Sequence, residues 1–393
     1  MKRENAAQRR GAHTAIISAA VAAAAVLTFM VSVPSGGVTT SQHLVARADS
    51  SAARANASTS TTSSTTTTSD TSTSPPVDGL ITAGPSRSEC VTLNPAATQS
   101  GLAYVQSLVS SFDSVTGSTV TCLSVYTDAQ TWSGWIHPWV DSTEVGFASW
   151  VARQPQSRQL VVAVSLIPNE LENVNNPTKW EASCATGAYD SYARQLGANL
   201  VSAGLENTVI RLGPEMNGVW ESDFIGPKKT EQKLWAKCFA KEVTSFRQVA
   251  GEHFLFDWNV NACTGNYPYQ NFYPGNQFVD IIGLDLYDVG CETPTTRLTF
   301  AQLASEPAGL NRFEAFAAAK GKPMSLPEWG LSTIPAGDDP AYINGNGSTF
   351  TNEDFAFESY FDGAGGPKSK AMALGPGTPL SDAAFREWFG TKQ

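Results

Sequence analysis

From Gly79 onward the chain keeps repeating one pattern, a short β-rich run followed by an amphipathic stretch with apolar residues three and four positions apart. Each helical stretch must bury its apolar stripe against a sheet, and the connection brings the next strand back parallel to the last. The strand candidates are Glu89 to Leu93, Ser118 to Tyr126, Gln159 to Ile167, Thr208 to Leu212, His253 to Asn259, Phe278 to Tyr287, Pro323 to Pro327 and Ser369 to Leu374. Helices are expected over Gly101 to Val115, Tyr189 to Ala203, Thr230 to Ala250, Gly309 to Lys320 and Ser381 to Phe389, with Gly204 and Gly251 as stops. Eight strands alternating with helices predict an α/β fold, a closed (β/α)8 TIM barrel. A doubly wound sheet would more often carry a Gly-rich phosphate loop after its first strand, and none is seen.

Before Gly79 the composition is different. Residues Thr14 to Val33 are apolar and Ala-rich and follow Lys2, Arg3, Arg9 and Arg10, the layout of an export signal. Ala46-Arg47-Ala48 offers a small-residue cleavage site, and the apolar run nearly reaches bilayer-spanning length, so cleavage and membrane anchoring are both open. Residues 49–78 are almost wholly Ser, Thr, Ala and Pro and cannot supply a core, which predicts a disordered linker. The division expected is therefore 1–48 signal peptide or anchor, 49–78 linker and 79–393 catalytic barrel, secreted or held outside the cell by residues 14–33.

A net charge of −10 without any run of Lys or Arg argues against nucleic acid as a partner. The four histidines, His13, His43, His137 and His253, show no metal-ligand spacing, so no metal and no cofactor are expected. An even set of six cysteines in an exported chain predicts disulfides. Of the connectivities open to them, Cys90 with Cys122, Cys184 with Cys238 and Cys263 with Cys291 join adjacent barrel units.

In a (β/α)8 barrel the chemistry sits at the C-terminal ends of the strands. The fourth strand runs Val209-Ile210-Arg211-Leu212 into Gly213-Pro214-Glu215-Met216-Asn217-Gly218, and the seventh runs Met324-Ser325-Leu326-Pro327-Glu328-Trp329-Gly330. Each presents a glutamate at the same mouth. Such a pair suits glycosidic cleavage, in which one carboxylic acid protonates the leaving oxygen and one carboxylate attacks the anomeric carbon. Glu215 is assigned the general acid/base role and Glu328 that of nucleophile. Arg211, four positions before Glu215, is placed to give Glu328 a cation. Taken singly, Pro214-Glu215 could instead open a helix and Glu328 could be structural.

The segment Arg211 to Gly218 with Trp220 resembles the acid/base segment of clan A glycoside hydrolases, family 26 above all. Tyr273-Pro274-Gly275 followed by Val279-Asp280-Ile281-Ile282-Gly283-Leu284-Asp285-Leu286-Tyr287 is similar to that family's passage from the fifth to the sixth strand. The resemblance implies Glu215 as acid/base, Glu328 as nucleophile and Tyr287 as a donor to the nucleophile. One position departs from it, because the family usually carries His immediately before its acid/base and this chain has Pro214, which lacks an N–H to donate.

Polar, uncharged sugars need aromatic faces, and Trp132, Trp135, Trp139, Trp220, Trp258, Tyr267, Tyr269 and Trp329 fall in or near expected strand-to-helix loops. Trp220 and Trp329 are singled out as sugar platforms, with Asn217, Arg211, Tyr287 and His137 as further substrate contacts. The sequence thus predicts a monomeric retaining hydrolase of β-linked polysaccharide or oligosaccharide, of mannan, glucan or xylan type and endo-acting. A non-catalytic carbohydrate-binding barrel and a transglycosylase acting on surface glycans are the alternatives.

Overall fold

The computed structural model describes residues 88–93, 100–127, 130–142, 144–171, 178–263, 267–291, 295–333, 337–352, 354–362 and 373–391. The export segment and the linker lie outside the described residues. Eight parallel strands close into a barrel in sequence order: β1 Ser88–Leu93, β2 Cys122–Tyr126, β3 Gln159–Val164, β4 Val209–Leu212, β5 Leu255–Asn261, β6 Ile281–Tyr287, β7 Met324–Gly330 and β8 Phe355–Asp362. Around them lie α1 Leu102–Thr116, α2 Trp132–Ile136, α3 Phe147–Ala152, α4 Thr178–Ala185, α5 Asp190–Ser202, α6 Lys229–Phe246, α7 Phe300–Ala304, α8 Leu310–Lys320, α9 Pro340–Asn352 and α10 Pro379–Phe389.

Seven of the expected strands appear where the sequence places them. The eighth does not: it is Phe355–Asp362, upstream of the expected Ser369 to Leu374. Of that expected run, residues 369–372 lie outside the described residues, and Ala373 and Leu374 are not in a strand. The helix preceding β8, α9, is the longest of the helices absent from the expected set, the others being the short α2, α3, α4 and α7.

Helix α6 shows how the outer layer is made. Trp235, Phe239, Glu242, Val243 and Phe246 recur at helical spacing and are buried, so one stripe faces the strands. Its start is fixed by Glu231, whose side chain accepts from the Lys228 backbone N–H at 3.1 Å. Burying each such aromatic contributes about 2–3 kcal/mol, so Phe239→Asp would be expected to unseat the helix.

Inside the barrel the pleat decides which side chains rise toward the mouth. A small apolar cluster of Cys90, Cys122, Val161, Val209, Leu255, Ile281, Ala356 and Phe357 draws on seven of the strands and stands apart from the larger core between strands and helices. Counting by twos from Val209 gives Arg211, from Leu255 gives Asp257, Asn259 and Asn261, and from Ile281 gives Gly283, Asp285 and Tyr287. The inward face of these three strands therefore changes from apolar to polar toward the mouth. All three cysteine pairs are disulfides: Cys90–Cys122 between β1 and β2, Cys184–Cys238 between α4 and α6, and Cys263–Cys291 between the loops after β5 and β6.

Candidate active site

Glu215 and Glu328 meet at this polar end. One carboxylate oxygen from each of Glu215, Asp285 and Glu328 lies within 4.8 Å of the others. The two glutamates arrive by different routes.

Strand β4 ends at Leu212, so Glu215 is carried on a turn rather than on the pleat. Gly213 has φ 59°, and a Cβ there would meet the Trp235 ring at 2.6 Å, so only glycine fits. Glu215 itself has φ 46°, an uncommon conformation for a residue with a side chain. The turn holds because the Glu215 N–H donates to Asn259 Oδ1 at 3.0 Å and the Gly218 N–H donates to the Glu215 carbonyl at 2.6 Å. Asn261 Nδ2 donates to Glu215 Oε1 at 2.5 Å and Trp220 Nε1 to Oε2 at 2.7 Å.

Glu328 sits within a strand, yet it and Ser325 both face inward, three residues apart. The register shift between Leu326 and Trp329, at Pro327, makes this possible, because Pro offers no N–H to the ladder and an irregularity re-aims the next side chain. Ser325 Oγ donates to Asp257 Oδ2 at 2.7 Å deeper in the barrel. Glu328 Oε1 accepts from the Arg211 guanidinium, and Oε2 accepts from the Tyr287 hydroxyl at 2.9 Å.

Arg211 is fully buried and is shared between Glu328 and Asp285, while Nε and a second nitrogen donate to Asn259 Oδ1 at 2.9 and 2.7 Å. Burial opposes the guanidinium charge, but Asp285 and Glu328 outweigh it and hold its pKa well above the ordinary range. Three carboxyl groups thus share one cation, and the one it does not touch is Glu215. Burial and the neighbouring Glu328 charge raise the Glu215 pKa, opposed by the Asn261 donor and by Arg211. Glu215 is therefore placed to keep a proton, while Glu328 is paired with the Arg211 guanidinium. Burial and Glu328 also raise the Tyr287 pKa, which leaves its hydroxyl as a donor.

Other expected contacts resolve differently. Trp329 is fully buried, donates from Nε1 to Glu358 at 2.5 Å, and packs against Tyr342, Phe350, Tyr360, Phe385 and Phe389. It is no sugar platform. Next to an inward-facing Glu328, the pleat turns it outward, and it anchors β7 to α9 and α10. Trp135, Trp258 and Tyr269 are buried too, leaving Trp132, Trp139, Trp220 and Tyr267 partly exposed. Asn217 is almost wholly buried, and its amide exchanges two 2.8 Å bonds with the Asn261 backbone, so it braces the Glu215 loop against β5. His137 is exposed at the end of α2, where Nδ1 faces Asn199 Nδ2 of α5 at 3.1 Å, and nothing among the described residues joins it to the paired carboxylates.

The sequence reading passed over Asn259 and Asn261, although polar residues at every second position of an otherwise apolar strand mark the inward face. It also missed Tyr126, at the end of β2, whose ring lies 5.9 Å from the Arg211 guanidinium carbon and whose hydroxyl reaches Glu328.

Residues 153–324, from just before β3 to the start of β7, match the family model described as Glycosyl hydrolase family 26. The match includes Glu215 and stops just short of Glu328. No curated protein matches the sequence. Among solved structures, a β-mannanase from Bacteroides ovatus is 15% identical, with 77% of this chain and 88% of that one covered and a TM-score of 0.54. A double mutant of an endo-β-1,4-mannanase from Cellulomonas fimi is 18% identical, with 77% and 70% covered and a TM-score of 0.53. Another structure of the Cellulomonas fimi mannanase, 19% identical, is longer, and this chain spans 64% of it. At such identities the likeness shows the (β/α)8 barrel, and residues 153–324, under half of the chain, are similar to family 26 glycoside hydrolases.

Proposed function

We propose that this barrel cleaves a β-1,4-linked mannan with retention of configuration, Glu328 acting as nucleophile and Glu215 as general acid and then general base. The observation that carries this is the placement of carboxylate oxygens of Glu215 and Glu328 within 4.8 Å of one another, in the range of retaining rather than inverting pairs. In the first step Glu328 attacks the anomeric carbon as Glu215 gives its proton to the departing glycosidic oxygen. In the second, Glu215 takes a proton from water, which attacks the same carbon and frees Glu328. Arg211 and Tyr287 fix the attacking carboxylate, and Asn261 and Trp220 fix the acid. The mannan assignment leans on the mannanases among the solved structures. Export belongs to the same proposal, since three disulfides form in an oxidising compartment.

Product mapping of the domain from Gly79 onward against mannan, mixed-linkage glucan and xylan tests the substrate. Manno-oligosaccharides released from mannan, with little from the other two, are expected. Release from glucan or xylan alone would overturn the mannan assignment while leaving the two-glutamate chemistry in place.

A further inference from the structure

The acid/base glutamate is held by a strand that is not its own. Pro214 brings no N–H to this turn, and the carboxylate finds its donors elsewhere: Trp220 on its own loop and Asn261 on β5. Asn261 is locked from every side. Its Oδ1 accepts the Cys263 N–H at 2.7 Å, its N–H donates to Asn217 Oδ1 at 2.8 Å, and its carbonyl accepts from Asn217 Nδ2 at 2.8 Å. With Oδ1 committed to the Cys263 N–H, the side-chain amide can present only its N–H to Glu215. Two residues on, Cys263 is joined to Cys291, four residues after Tyr287, so one covalent link ties the loop that holds the acid to the loop that holds the nucleophile.

We infer that Asn261 is the positioning residue for the Glu215 carboxyl, and that the Cys263–Cys291 disulfide keeps it in place by clamping the β5 and β6 loops together. This rests on the acid/base role given to Glu215 above. An N–H aimed at a carboxylate favours its charged form. The other groups facing Glu215 are Arg211 on β4, which also favours the charge, and Asp285 and Tyr287 on β6, Glu328 on β7 and Glu221 on its own loop. Removing the Asn261 donor therefore raises the pH at which Glu215 loses its proton, and leaves the carboxyl free to swing from the leaving oxygen.

The test compares pH profiles of kcat/KM for Asn261→Ala and the disulfide-free C263S/C291S variant. Two substrates are used: a manno-oligosaccharide, which needs protonation of its leaving group, and a dinitrophenyl β-manno-oligosaccharide, which does not. For Asn261→Ala the alkaline limb should move up by about half to one pH unit, with an about tenfold or greater loss on the oligosaccharide and less than about threefold on the aryl substrate. C263S/C291S should move the limb the same way by less. Asn261→Ser stands in if the alanine variant does not fold. An unmoved limb, or equal losses on both substrates, would overturn the inference, because a merely structural role lowers both together. An unmoved limb in C263S/C291S alone would remove the clamp. Failure of Glu215→Ala to discriminate between the two substrates would instead defeat the acid/base assignment itself.

Discussion

The two halves of the barrel mouth carry the same side chain and treat it in opposite ways. On the β6–β7 side, Glu328 meets a guanidinium and a phenol, so its charge is compensated and both oxygens are fixed. On the β4–β5 side, Glu215 meets an amide and an indole, donors without charge, and feels Glu328 besides. A third buried glutamate shows what burial does where no donor or cation touches the carboxylate. Glu181 of α4 is fully buried with no partner for either oxygen among the described residues, and burial, with Glu231 nearby, drives its pKa up to about 9. Donors and cations, more than depth, separate the roles.

Removing the compensated side is the strongest way to break this contrast. Glu328→Ala should abolish hydrolysis, lowering kcat by about 10⁵-fold with the fold intact by circular dichroism. Activity within tenfold of wild type would dismiss Glu328 as nucleophile.

Glu215→Ala comes next, with an about 10²- to 10⁴-fold loss on polysaccharide and a far smaller loss in the first step on an aryl substrate. Because Glu215 must be protonated to act as the proposed acid, wild-type activity is expected to fall as pH rises through its raised pKa. That alkaline limb should vanish in the alanine variant when kcat/KM on the aryl substrate is followed against pH.

Tyr287→Phe removes one donor to a charged carboxylate and should cost about 10- to 100-fold in kcat/KM.

The smallest catalytic effect belongs to the unpartnered acid. Glu181→Gln should change kcat by less than about twofold. Its folded-state pKa is raised from 4.5 to about 9, so the stability its neutral form contributes is present below pH 4.5 and is lost as pH rises toward 9. Thermal melts over that window should therefore fall less steeply with pH in Glu181→Gln than in wild type.

Much of this was legible in the sequence, and the exceptions have physical causes. The convergence of Glu215, Glu328 and Arg211 could be read because strand ends in a barrel meet at one mouth, whereas Tyr287 came from the family resemblance alone. Trp329 misled because aromatic character was weighed without the pleat: beside an inward Glu328 it must face out, into the cluster with Tyr342 and Phe385. Helix α9 was hidden by Gly345 and Gly347, residues that disfavour helices. They are there for packing, since a Cβ would meet the Phe300 ring at 2.2 Å and the Trp388 ring at 2.3 Å. With that helix unseen, β8 was sought too far downstream. The turn at Glu215 depends on Asn259, a partner many residues away, which no local pattern announces.

Proton NMR of the first sugar released by the wild-type domain from a β-manno-oligosaccharide, read before mutarotation, tests the paired-glutamate mechanism most directly. Carboxylates this close leave no room for water beneath the sugar, so the nascent product should carry the β configuration. An α product appearing first would contradict the mechanism.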